Sequence, residues 1–235
     1  MRTEMVPDIY LSPGFYMGFW ESCIEKLFTP EQIKDHIKLQ QHREMRVGAI
    51  VAAAITHQSK VQHFLGIPDS DPPDVLLMHQ EEAIVNGKKG TEPKYIHLEV
   101  VRCDFDDGET LLDQALIKNL PVYKNMTVAI DVTGVTRPDS YQAAVEGLAE
   151  LEEVHPSQYI AVEQIGVVGE AKYQPGVFRI TQLYPSKTIS HVRRIDNEAF
   201  FRAPTDVIGR AMPARGISTE WQDLGNFTLL PPTLD

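Results

Sequence analysis

Three acidic residues could carry chemistry in this chain. Asp74 follows Pro73 at the opening of a short apolar run, and Glu99 lies inside the apolar run Ile96 to Val101. Glu44 sits on a long helical pattern ahead of both, three residues before Val47, so its side chain leans toward the buried stripe. A carboxylate buried among apolar side chains is costly unless it is neutralised, paired or bound to a metal. Asp74 and Glu99 on one face of two neighbouring strands would form an oxygen-rich pocket suited to a hard divalent cation, Mg²⁺ or Mn²⁺. In phosphodiester hydrolysis such a cation activates water and stabilises charge on the scissile phosphate. Each residue also has a plainer reading. Asp74 after a proline can be a turn or strand-entry residue. Glu99 can pair with an arginine or with His97, and Glu44 beside Arg43 and Arg46 can belong to a charged helical surface.

The elements that must position them follow from the pattern. Residues 1 to 29 are aromatic-rich around Pro13-Gly14 and read as a wrapping arm with a short helix from Phe19 to Leu27. Thr29-Pro30-Glu31-Gln32 is a helix start: Thr29 as N-cap, Pro30 at the first helical position, and Gln32 closing a capping box. Helical pattern then runs, with a break near His36 to Gln41, to about Phe64, and Gly66 stops it. Val47, Ile50, Val51, Ala54, Ile55 and Val61 recur at helical spacing and predict one buried face. Ile67 to Asp74 carries three prolines and is a loop; Asp69 and Asp71 within it read as turn caps, with a metal site as the alternative.

Val75 to Met78 reads as a short strand, Asn86-Gly87 as a hairpin turn, and Lys94 to Arg102 as the next strand. Its alternation puts Tyr95, His97, Glu99 and Val101 on one face and Ile96, Leu98 and Val100 on the other. A helix to about Asn119 follows, with Leu112 and Leu116 inward and Ala115 a further candidate for the inward face. Met126 to Val132 is a continuous apolar strand and therefore central. Tyr141 to Glu153 is an amphipathic helix, Tyr159 to Val168 a strand, and Val177 to Leu183 with Thr188 to Arg193 a hairpin. The expected architecture is α/β and a single domain over 1–235. It comprises an N-terminal aromatic arm (1–29), an α/β core (30–168), and a C-terminal hairpin and extension (169–235).

Pro73-Asp74, then Glu99-Val100-Val101, then a helix and an apolar strand, resembles the PD-(D/E)XK nuclease superfamily over about residues 40 to 133. The resemblance implies a restriction-endonuclease-like core of helix, three-strand meander, helix and strand, with Mg²⁺ at the acidic pair. It matches Glu44 to an acidic residue on the preceding helix, and Gln114 or Lys118 to a polar residue on the following one. The motif lysine is absent, since its position holds Val101. In this superfamily the lysine can migrate. Lys118 is the first candidate to replace it, ahead of Arg102 and Lys94, and Arg102 should face away from Glu99 by alternation.

Composition narrows the classes. The chain of 235 residues has ordinary globular proportions, 43% hydrophobic and 23% charged, and can build one sizeable core. Its two cysteines, Cys23 and Cys103, stand in no metal-ligand spacing, so reduced thiols and a cytoplasmic setting are expected. No apolar stretch is long enough to span a bilayer. The net charge of −11 opposes extensive phosphate binding. Two functions therefore stand side by side: a metal-dependent nuclease, or a catalytically silent interaction or structural subunit on the same scaffold. Nucleic acid is the expected partner of the first. An assembly partner is expected for the second, with a two-fold homodimer as the default oligomer.

Overall fold

In the computed structural model the described residues are 9–68, 71–85, 88–134, 139–167, 176–185, 192–195, 207–210, 221–223 and 232. The chain is of mixed α/β class. The arm begins with β1 (Ile9–Leu11) and α1 (Pro13–Phe19), which Ser12 caps by accepting from the Phe15 N–H. One π-helical turn (Trp20–Ile24) joins α1 to α2 (Glu25–Leu27). Next come α3 (Pro30–Asp35), a tight turn at Ile37–Leu39, and α4 (Gln40–Ser59). The capping box at Thr29 and Gln32 is present in both directions.

The strands β2 (Phe64–Gly66), β3 (Val75–Val85) and β4 (Lys88–Asp104) form an antiparallel meander. Helix α5 (Leu111–Ile117) then leads to β5 (Thr127–Thr133), which lies parallel to β4. Helix α6 (Ser140–Ala149), β6 (Gln158–Val167), β7 (Gly176–Tyr184) and β8 (Val192–Ile195) complete that side. The last strands, β9 (Val207–Arg210) and β10 (Trp221–Asp223), pair beyond β1. The sheet order is β10-β9-β1-β2-β3-β4-β5-β6-β7-β8.

Strand alternation sorts the side chains into two layers of core. Leu98, Ala129, Ile160 and Val162 face α4 and the arm, where Tyr16, Met17, Trp20 and Ile24 are buried with them. Cys103, Val128, Ile130, Tyr159 and Ala161 face α5 and α6, meeting Leu111, Ala115, Ala144 and Leu148. The arm therefore packs on the core and contributes buried side chains to it. Among the described residues no helix is long and apolar enough to cross a membrane.

Several sequence expectations need correction. Helix α4 stops at Ser59, where Lys60 turns into the left-handed region at φ 62°, and Phe64 to Gly66 form a buried strand. Three residues are too few to show a strand period. The helix is buried nearly all round from Val47 to Ala54, because it lies between the sheet and α1. The β3–β4 hairpin extends through the polar residues 80–93, since a two-stranded ribbon exposed on both faces needs no apolar alternation. Helix α5 buries Leu111, Gln114 and Ala115 and packs Leu112 against the core, while Leu116, expected inward, is exposed. The expected strand residues 188–191 and the Asn86-Gly87 turn lie outside the described residues.

Gly48 decides how closely α4 approaches β3. A Cβ built there would stand 2.8 Å from Cγ1 of Val75, the residue after Asp74. Valine is stiff at χ1 and cannot swing away. At Gly147 the clash is with the methyl ends of Leu112, which can move. Gly48→Ala should therefore destabilise the fold by about 1–2 kcal/mol despite its better helix propensity. Gly147→Ala should cost less than Gly48→Ala. Urea unfolding of the two variants, read side by side, checks this order.

Candidate metal centre

The pairing of β3 with β4 begins at Val75 opposite Leu98. On the β3 side, the edge of β4 beyond Leu98 therefore has no strand to accept its N–H groups. Asp74 fills that place. Its backbone N–H donates to the Leu98 carbonyl at 3.1 Å, and its Oδ2 accepts from the Val100 N–H at 2.7 Å. The carboxylate thus continues the ladder for one step where the strands part, and this holds Asp74 directly beside Glu99.

Glu99 points from β4 to the α5 face, opposite to its neighbours Leu98 and Val100, and is 2% exposed. Its Oε1 accepts from Lys118 Nζ at 2.5 Å. Its Oε2 is buried with no hydrogen-bond partner among the described residues. Lys118 follows the last turn of α5; its Nζ lies 3.4 Å from the Tyr123 hydroxyl and 5.0 Å from that ring's centre. Burial works against the lysine's charge, but the hydrogen bond and charge of Glu99 leave its pKa raised.

Asp71, Asp74 and Glu99 each offer a carboxylate oxygen, and these oxygens lie within 4.8 Å of one another. Asp71, which the sequence placed first among turn residues, is therefore the third member of the cluster. Its only sequence signal was its place three residues before Asp74 in a loop that must fold back at its prolines. Asp69 lies outside the described residues. Burial pushes the Asp74 carboxyl up to about 7. The Val100 N–H opposes this, the charges of Glu44 and Glu99 add to it, and Lys118 lowers it. Burial likewise raises Glu99; the Lys118 hydrogen bond and charge oppose it, and the fields of Asp71 and Glu44 reinforce it.

The other sequence candidates divide clearly. Glu44 acts on both carboxyls through its field, and its own Oε1 accepts from Gln40 Nε2 at 2.8 Å. Gln114 is buried one turn before Lys118, but among the described residues no hydrogen bond joins its side chain to the acids. Arg102 turns away as expected, bonding Asp104 at 2.7 Å and the Lys34 carbonyl at 3.2 Å. Lys94 pairs with Glu92 at 2.5 Å on the exposed ribbon. Val101 packs partly buried against the α5–α6 core, so Lys118 is the only one of these three cations to reach Glu99.

The donor set is all carboxylate oxygen, the chemistry that hard divalent cations select. The unpartnered Glu99 Oε2 is a buried acceptor that a cation would satisfy. Asp71, Asp74 and Glu99 thus form a group that could hold a metal ion. Comparisons with family models, curated proteins and solved structures return no match.

Two outcomes follow. Lys118→Met leaves Glu99 buried without its counter-charge, and should destabilise the fold by about 3 kcal/mol at pH 8. Adding Glu99→Gln should restore most of that loss, a coupling that a double-mutant unfolding cycle measures directly. The pH dependence of the metal-free protein gives the second. Between the ordinary carboxyl pKa and about 7, folded Asp74 holds a proton that the unfolded chain releases, so stability falls as pH rises through this window. In Asp74→Asn the fall should be shallower, measured as Tm from pH 4 to 8; an unchanged slope would refute the assignment.

Proposed function

We propose that the chain is a divalent-metal-dependent, nuclease-like protein that hydrolyses nucleic-acid phosphodiester bonds. The observation that carries this reading is the meeting of Asp71, Asp74 and Glu99 with Lys118 bonded to Glu99. The element order supports it too: helix α4, the meander β2-β3-β4, helix α5, and β5 parallel to β4 make up the arrangement expected of a restriction-endonuclease-like core. In this reading Lys118 supplies from α5 the cation that Val101 lacks.

Asp71, Asp74 and Glu99 would hold the cation, with Glu44 adding negative field. When bound, Mg²⁺ or Mn²⁺ supplies Lewis-acid polarisation of the phosphoryl group and lowers the pKa of water. Lys118 stabilises the negative charge that develops on the phosphate, as a point charge held in place by Glu99 and Tyr123. Asp74 is held in place for this by the Val100 N–H that its Oδ2 accepts.

A second reading has its own support. The Glu99–Lys118 pair already neutralises the buried carboxylate without a metal, and the chain carries a net charge of −11. Both suit a catalytically silent interaction or structural subunit.

Calorimetric titration of Mn²⁺ into the wild type and Asp74→Ala/Glu99→Ala separates the two. The nuclease reading requires binding in the wild type that is lost in a folded double variant. It also requires cleavage of single- or double-stranded oligonucleotides that falls about 100-fold or more in Lys118→Ala while Mn²⁺ still binds. Absence of Mn²⁺ binding in the wild type would leave the subunit reading.

A further inference from the structure

On the opposite face of β4 from Glu99 lies a cavity of about 590 Å³, within the range of small-molecule sites. One wall is apolar, made by Phe28 and Ile33; the rest is charged on both sides, with Arg43, Arg46 and Arg102 beside the acids Glu25, Asp104, Asp106 and Asp131. It opens toward the carboxyl ends of the parallel strands β4 and β5, where open α/β sheets commonly place ligands.

The arginines differ in how they are compensated. Arg102 shares Asp104 with Lys34, at 2.7 and 2.8 Å, and is neutralised there. Arg43 and Arg46, one turn apart on α4, have no carboxylate ion pair among the described residues. Arg43 donates to the carbonyls of Ile33 and His36 at 2.7 and 3.2 Å, and Arg46 to Gln164 Oε1 at 2.7 Å. The Nε of Arg46 is buried with no acceptor among the described residues. Its guanidinium stands 5.5 Å from the Trp20 ring centre and 5.3 Å from that of Phe178, so the group is fixed before any ligand arrives.

Asp131 faces these cations without a hydrogen bond to any of them. Burial raises its carboxyl pKa, and Arg46, Arg102 and Arg43 only partly pull it back. Burial and the field of Arg102 lower the pKa of Arg43, against the opposing charges of Glu44, Asp35 and Asp131. The cavity therefore holds two guanidinium groups that no carboxylate bonds directly among the described residues, one of them with a buried Nε left open, beside the Asp131 carboxyl.

We propose that this cavity binds a small organic oxyanion, a phosphate or carboxylate group carried on a flat apolar body. The oxyanion would sit on Arg43 and Arg46, and the body against Phe28 and Ile33. Arginine suits this role because its planar fork meets such groups with two parallel hydrogen bonds. An apolar body adds burial that a bare ion cannot.

The test is calorimetric titration of the full chain, without metal, with phenyl phosphate, phenylacetate and inorganic phosphate. At least one aromatic probe should bind about tenfold or more tightly than inorganic phosphate, and the tighter of the two names the head group. Arg43→Gln should weaken it by about 10- to 100-fold. Should that variant not fold by circular dichroism, Arg46→Lys replaces it; it keeps the charge, loses the fork, and should also weaken binding. The proposal is overturned if no aromatic probe binds at millimolar concentration, if inorganic phosphate binds equally well, or if the folded arginine variant binds unchanged. The assay involves neither Mn²⁺ nor cleavage, so its outcome is independent of the nuclease reading.

Discussion

The point at which β3 and β4 cease to pair governs much of this molecule. From Val75 opposite Leu98 onward into the hairpin the two strands satisfy each other, and beyond Leu98 the β3-facing edge of β4 has lost its partner. A backbone N–H left there without an acceptor is costly. The Asp74 carboxylate accepts from Val100 and meets that demand, which draws an acid to the mouth of the divergence. The close approach of α4 through Gly48 holds Val75 in position behind it. Glu99, the residue between the two that Asp74 engages, is then brought alongside, and Asp71 follows from the loop.

The same strand separates two kinds of site. By alternation, Glu99 looks toward α5 and Lys118, while Arg102 looks toward α4 and the cavity with Arg43, Arg46 and Asp131. The acidic cluster and the arginine-lined cavity thus lie on opposite faces of one sheet. Among the described residues each site also leaves one buried polar atom without a protein partner: Glu99 Oε2 in the first, Arg46 Nε in the second. Such atoms are rare because they are costly, and a bound ion or ligand is the simplest way to satisfy them.

Local chemistry was legible in the sequence wherever one element decides it alone. The Thr29–Gln32 capping box depends on four successive residues and forms as read. The alternation of β4 from Ile96 to Val101 was equally plain, because both faces of that stretch pack on core and any slip would expose apolar side chains. A lone carboxylate inside that run marked Glu99 as needing a partner, and Lys118 reaches it. By contrast, α4 showed an apolar stripe but is buried on nearly every side, since its alanines are too small to register as an apolar face. The extent of the strands beyond His79 was unreadable for the complementary reason: a ribbon exposed on both faces carries no burial pattern.

What the sequence determined by itself, then, was the identity of the charged residues that a folded core could not leave alone: Asp74, Glu99 and the cation that must answer them. Only the tertiary structure decided which cation does so, because Lys118, Arg102 and Lys94 are equally charged and differ only in the face and element that carry them. It alone brought Asp71 into the cluster, through a loop whose path no periodicity describes. It alone assembled the arginine cavity, whose walls come from the arm, α3, α4, β4 and β5. Periodicity reports the face on which a residue lies within its own element. Convergence of side chains from distant elements depends on how those elements pack, and only the folded chain specifies that.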